Sequence, residues 1–320
     1  MSCVHPAERS VDVLINVFAK PYQTALALLS LLRHSGRYID TIYFHQEPCT
    51  SEFERKGHEQ LLAHLGSQVR LFTPKYWLGR DATDEQRLTQ DAEYRLSIRY
   101  QYGWEQTDKR YVLIVHNDLE VTADPVSALL GVIGNATAAG EIGQCWWCPA
   151  GQRGFCASER YTAFRPKYHQ LMYIYNQDMD YRNRRAYNLG LRAEYWTQPW
   201  PLPECRVNEW CMLVDMHKAR PATQPFGPAA PLGCRFASGS KIGENWDEDV
   251  CLDIGVQWFR DMCRQGHSFA HYPVERCIVH DRRGSVALGS PEVYVKNEVR
   301  AKERLAQDYP GVFSELNYLQ

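Results

Sequence analysis

Between Val11 and Val115 short β-rich runs alternate with longer helical stretches, and no other feature of the chain narrows its fold as much. Val11 to Phe18, Ile39 to His45, Val69 to Phe72 and Arg110 to Val115 read as strands, each short and apolar. Between them, the leucines from Leu26 to Leu32 make an apolar helix ending near Ser35-Gly36. Glu52 to Leu65 reads as a second helix, and Arg87 to Trp104 as a long helical stretch. This alternation predicts an α/β fold built on a doubly wound sheet. The run ending at Val115 is almost wholly apolar, as expected of a central strand of a parallel sheet. Ligands on such sheets bind beyond the carboxyl ends of the strands, which directs attention to the residues just after Phe18, Phe44 and Val115.

From about Gly140 to Gly243 the pattern changes: aromatics, Pro, Cys and Arg crowd together with weak periodicity. This half is expected to be irregular and to shape a pocket. Within it Arg206 to Met216 reads as a returning strand. Asp247 to Gln265 comes next as a helix, then strands at Phe269 to Tyr272 and Cys277 to His280. Pro291 to Tyr309 is charged and helical, interrupted by Pro310.

Charge and composition exclude several classes. A formal net charge of −2 with no long block of one sign argues against a nucleic-acid partner. With 44% hydrophobic and 23% charged residues, the chain is ordinary globular material and not a disordered one. Met1 to Ser10 lacks the apolar core of a signal peptide. The longest apolar stretch, Thr24 to Leu32, falls short of the roughly 18 residues of a membrane span. These readings predict a cytoplasmic protein without a transmembrane segment. They are compatible with peripheral attachment at the inner face of a membrane.

Three clusters carry chemistry. The first is His116-Asn117-Asp118-Leu119-Glu120, directly after the apolar strand. Asp118 and Glu120, at i and i+2, are placed to approach one hard divalent cation, Mn²⁺ or Mg²⁺, which bridges phosphate oxygens. An exposed acidic turn is the plain alternative. The second is Trp246-Asp247-Glu248-Asp249 at the start of a helix. Acids there are favoured by the helix dipole, and equally one of them can serve as a general base. The third is His280-Asp281-Arg282-Arg283-Gly284-Ser285 at the end of a late strand. His280 is a candidate metal ligand, and Arg282 and Arg283 are candidate phosphate contacts.

Taken in order, these segments resemble the GT-A glycosyltransferases, in particular the large family 2 group of inverting enzymes. The resemblance runs from Val13 to Phe18 and Ala27 to Arg33, through Arg99-Tyr100-Gln101-Tyr102-Gly103, to Asn117-Asp118-Leu119-Glu120. It continues with Val207 to Met212, Asp247-Glu248-Asp249 through Gly266, Tyr272-Pro273, and His280 to Ser285. One departure is that Asn-Asp-Leu-Glu stands where many members carry Asp-x-Asp.

The resemblance implies a GT-A fold, a doubly wound mixed sheet with an irregular acceptor side. One domain would span 1–290, with a nucleotide-sugar-binding half at 10–122 and an acceptor and catalytic half at 140–285. A helical tail would occupy 291–320. It implies an inverting transfer from a nucleotide-sugar donor to a glycan or lipid-linked glycan acceptor, in the setting of bacterial surface polysaccharide synthesis. Phe18, Ala19 and Glu47 would meet the base or ribose, and Arg99 the diphosphate, with Asn117 beside the metal motif. Asp249 is the favoured base, with Asp247 and Glu248 as competitors. Glu209 and Trp210 would face the acceptor, Trp210 as a platform for a sugar ring. The alternatives are a sugar nucleotidyltransferase, although Ala19-Lys20-Pro21 offers a lysine without the usual glycines, and a non-catalytic carbohydrate-binding or scaffold protein.

The cysteines stand apart. Cys145 and Cys148 have the spacing of a zinc half-site, with Cys156 nearby as a third thiol. A second close pair is missing, and a strand would turn Cys145 and Cys148 to opposite faces. Buried free thiols are therefore expected ahead of structural Zn²⁺. The aromatic stretch from Tyr161 to Trp200 is expected to be core for the most part.

Overall fold

The computed structural model describes residues 8–79, 81, 83–146, 148–177, 193–235, 253–280 and 291–315. Its centre is a seven-stranded sheet in the order β3-β2-β1-β4-β7-β6-β8. The strands are β1 (Val11–Val17), β2 (Ile39–Gln46), β3 (Val69–Phe72), β4 (Tyr111–Val115), β6 (Ala138–Ile142), β7 (Val207–Asp215) and β8 (Phe269–His271). β1 lies between β2 and β4 and is parallel to both. β7 runs antiparallel to β4 and to β6, so the sheet is mixed. A separate ribbon pairs β5 (Leu119–Val121) with β9 (Ile278–His280), placing Leu119 opposite His280. The expected α/β architecture, a mixed sheet flanked by helices, is the one observed.

The order β2-β1-β4 is what creates a binding crevice. The chain leaves β1 toward β2, then crosses back to the other side of β1 to form β4. In such sheets the crevice at this switch point, beyond the carboxyl ends of β1 and β4, is where ligands bind. β4 is fully enclosed from Val112 to Val115, as its unbroken apolar sequence requires.

Helix α1 (Pro21–Ser35) is buried continuously from Pro21 to Leu31. A helix apolar on all sides needs cover on all sides. The sheet covers one face, and the C-terminal helix Pro291–Asp308 covers another through Ala301 and Leu305, both buried. Fully burying a leucine is worth roughly 1.5–3 kcal/mol, so Leu305 contributes to holding that helix on the domain. The same helix also supplies the missing cap. Lys20 at the N-cap of α1 offers no side-chain acceptor, and the Glu298 carboxylate accepts the N–H groups of Tyr22 and Gln23 at 3.0 and 3.1 Å.

The helical stretch read across Arg87 to Trp104 is in fact three short helices, Glu85–Gln90, Ala92–Leu96 and Gln101–Gln106. Asp91 ends the first and caps the second by accepting from the Tyr94 N–H at 3.0 Å. Tyr100, with a φ of 68°, turns the chain before the third. Of the helix read across Asp247 to Gln265, Val256–Arg264 is helical, and residues 236–252 lie outside the described part. Tyr175 and Tyr195 are core residues as expected, whereas Tyr173 and Trp196 are exposed. Among the described residues no helix is long and apolar enough to cross a membrane.

Candidate metal and nucleotide site

The carboxyl end of β4 delivers His116 and Asp118, and the end of β9 delivers His280. Nε2 of His280 lies 3.2 Å from Asp118 Oδ1, and Nδ1 of His116 lies 3.7 Å from the same oxygen. One donor atom from each of the three residues fits within 4.8 Å, the one such group among the described residues. The β5–β9 pairing is what brings His280 here, since Leu119 opposes it directly. Its ring stacks on the indole of Trp210 at 4.9 Å and 11°. Its Nδ1 is buried without a hydrogen-bond partner among the described residues.

One carboxylate and two imidazoles are a donor set that suits a divalent cation, and His116 would give up its proton on binding one. Burial opposes the charged form of Asp118, but the Lys20 ammonium and the two imidazoles outweigh it and hold this carboxyl well below the usual range. Burial likewise opposes a charged His116. The carboxylates of Asp118 and Glu209, the latter with Oε1 3.5 Å from Nε2, prevail and raise it to about 9. The Asp118 carboxylate thus faces the Lys20 ammonium and two imidazoles, and Glu209 lies between His116 and the Arg206 guanidinium.

Beside this cluster, at the ends of β1 and β2, lies a second one. Glu47 is buried and accepts from Asn16 Nδ2 at 3.0 Å, Arg99 Nε at 3.1 Å and Trp77 Nε1 at 3.2 Å. The Trp77 indole stacks on Phe18 at 5.7 Å and 18°, and 47% of Trp77 is exposed. An open aromatic shelf therefore sits above the end of β1.

Several expected residues take other roles. Glu120 is not part of the metal-capable group: Arg304 of the C-terminal helix holds its Oε1 at 2.5 and 3.1 Å. The chain leaves the main sheet at β5, which aims Glu120 at that helix. Asn117 is buried and donates to Thr24 Oγ1 at 3.1 Å and the Phe18 carbonyl at 3.4 Å, so it ties β4 to the β1–α1 corner and is not open to a ligand. Trp210 is 5% exposed with a face taken by His280, so it braces that imidazole and offers no platform to a sugar. Glu209 lies against His116, beside the metal-capable group and not turned toward an acceptor. Arg99 is engaged with Glu47. Ala19 is buried, with its carbonyl 3.0 Å from His58 Nε2. Asp247, Glu248, Asp249, Arg282 and Arg283 lie outside the described residues.

The thiols likewise differ from a zinc site. Cys145, Cys148, Cys156 and Cys205 line one small apolar cavity with Glu204 and Tyr161. Among the described residues no three of these sulfurs come within 4.8 Å of one another, so Cys145, Cys148 and Cys156 form no zinc-holding set. All described cysteines are free. Burial pushes the Cys148 and Cys205 thiols well up, which keeps them neutral.

His116, Lys20 and Trp77 do not stand out in the sequence as site residues. His116 and Asp118 have the same i, i+2 spacing as Asp118 and Glu120, so the spacing alone points equally to either pair.

No protein-family model matches the chain, and no curated protein matches it. Among solved structures, similarity is found to GalNAc-T7 with UDP, GalNAc and Mn²⁺, at 13% identity and a TM-score of 0.31. That alignment covers 41% of this chain and only 22% of that one. A second is the mannosyltransferase PcManGT from Pyrobaculum calidifontis in complex with GDP-Man and Mn²⁺. It has 9% identity and a TM-score of 0.41, with 99% of this chain and 70% of that chain covered. Neither likeness is close enough to assign the chain to a family.

Proposed function

We propose that the chain is a metal-dependent glycosyltransferase that uses a nucleotide-sugar donor. The observation that carries this reading is the convergence of His116, Asp118 and His280 at the β1–β4 crevice, next to the Glu47 cluster and the Phe18–Trp77 shelf. A carboxylate and two imidazoles suit a borderline cation such as Mn²⁺ better than Mg²⁺, which prefers all-oxygen shells. A cation held there supplies Lewis-acid stabilisation to a departing nucleoside diphosphate.

The chain's own residues do the rest. Trp77 and Phe18 offer a stacking face to the base, and the Asn16–Glu47–Arg99 network fixes the floor beneath the ribose. Trp210 and Glu209 orient the imidazoles of His280 and His116. In this reading an acid of the 247–249 cluster, Asp249 first, removes the proton of the acceptor hydroxyl, giving inversion at the anomeric carbon. Arg282 and Arg283 contribute charge toward the phosphates. The acceptor is a glycan or lipid-linked glycan, and the setting surface polysaccharide synthesis.

The test is a thermal-shift screen of UDP, GDP, dTDP and CMP, each with and without Mn²⁺. A selective rise that requires the metal supports the reading, because a ligand that binds the native state stabilises it by mass action. No response to any pair at millimolar nucleotide sinks it.

A further inference from the structure

Two consecutive non-glycine residues at the end of β1, Ala19 and Lys20, have φ of 54° and 57°. Left-handed backbone is unfavourable at such residues and persists only where the surroundings impose it. Here they do. Thr24 donates to the Lys20 carbonyl through its N–H at 2.8 Å and its hydroxyl at 2.7 Å. Asn117 holds that hydroxyl in turn. Glu298 fixes the first turn of α1 directly after Lys20. The strained corner drives the Lys20 side chain inward, where it is 8% exposed and its Nζ lies 2.6 Å from Asp118 Oδ2.

This leaves the Asp118 carboxylate fully engaged. Oδ2 meets the ammonium, and Oδ1 meets the imidazoles of His280 and His116. A divalent cation needs Asp118 lone pairs, and it cannot share a carboxylate of this size with an ammonium at bonding distance without strong repulsion.

Resting on the metal site proposed above, we infer that Lys20 is an internal counter-ion that a cation must displace from Asp118, and that the displaced ammonium then pairs with the donor's diphosphate. The stem of Lys20 is anchored at the same crevice, so its head has the cation's own ligand as its nearest alternative partner. The diphosphate removes the repulsion by accepting both charges. Cation and nucleoside diphosphate therefore bind cooperatively, and by linkage each raises the other's affinity by the same factor. The cation alone binds weakly.

The test is a titration of the full chain with Mn²⁺, reading free ion by electron paramagnetic resonance, without and with saturating nucleoside diphosphate. Wild type, Lys20→Met, Lys20→Asn and Asp118→Ala are compared. Asn tolerates left-handed backbone, so at least one lysine variant keeps the corner. Removing a charge-assisted hydrogen bond of this kind is expected to tighten Mn²⁺ binding without nucleotide on the order of tenfold or more. The enhancement that nucleotide brings to wild type should shrink in both lysine variants. Equal Mn²⁺ affinity in wild type and the lysine variants, with binding lost in Asp118→Ala, overturns the displacement while leaving the metal site standing. Absence of Mn²⁺ binding in wild type and both lysine variants, with nucleotide present, overturns the site itself.

Discussion

The carboxylate of Glu298 caps helix α1 at Gln23 from 275 positions away in the chain, accepting both the backbone N–H and the side-chain amide. The contact binds the C-terminal helix to the corner that carries Lys20. Removing the carboxylate in Glu298→Ala takes the acceptor from three buried donors, the Tyr22 and Gln23 backbone N–H groups and the Gln23 side-chain amide, at about 1–3 kcal/mol for a lost buried partner. Urea denaturation of the full chain should show that loss, and Glu298→Gln, which keeps one acceptor oxygen, should lose less.

His45, at the end of β2, is 3% exposed with neither ring nitrogen hydrogen-bonded among the described residues, and burial pushes its pKa down to about 4. A histidine kept neutral in the fold but titrating near 6.5 when unfolded contributes stability above pH 6.5 that is lost as pH falls toward 4. The sign follows because the unfolded state binds the extra proton in that window. Each tenfold change in proton affinity is worth about 1.36 kcal/mol, so the loss is about 3 kcal/mol. Replacing His45 by leucine should flatten the stability profile between pH 4 and 6.5. An unchanged acid slope would remove His45 as its source.

Metal binding should separate Glu120 from the three converging residues. Asp118→Ala and His280→Ala are expected to abolish Mn²⁺ binding measured by calorimetry with nucleotide present. Glu120→Gln should retain it. Its cost should be confined to the Arg304 pair, about 1 kcal/mol or less at a site where the arginine is 37% exposed. Loss of Mn²⁺ binding in Glu120→Gln would return Glu120 to the ligand set.

The Phe18–Trp77 shelf bears on nucleotide alone. Stacking of a base on an aromatic side chain is worth about 1–3 kcal/mol by alanine substitution. Trp77→Ala should weaken nucleoside diphosphate binding by that amount while leaving Mn²⁺ dependence intact. Nucleotide-induced quenching of tryptophan fluorescence should shrink in the same variant.

How far the sequence can be read varies with the physics of each segment. Helix Glu52–Leu65 and strand Val69–Phe72 have the bounds their residue patterns set, because local periodicity decides them. Strand Ala138–Ile142 escapes that reading, since Ala-Ala-Gly-Glu-Ile has none of the usual strand signature. It is a strand because neighbouring strands enclose it: a Cβ at Gly140 would come within 2.8 Å of Val207 and 3.0 Å of Met212. At the site, Asp118 and His280 are legible from their positions at strand ends. His116 in place of Glu120 is not, because the choice depends on where the chain leaves the sheet for β5. Nor is Trp210's role, since its partner His280 arrives from a separate ribbon.

The cover that Pro291–Asp308 gives to α1 has a consequence for biosynthesis. Helix α1 is made before every strand of the sheet except β1, and the helix that shields its outer face and caps its first turn is made after all of them. On the ribosome, α1 waits with an apolar flank open while the rest of the sheet is completed, a stage at which nascent chains are prone to stick to one another or recruit chaperones. Glu298 of the C-terminal helix caps the turn after Lys20, so the corner that aims Lys20 inward gains its last hydrogen bonds only when that helix docks.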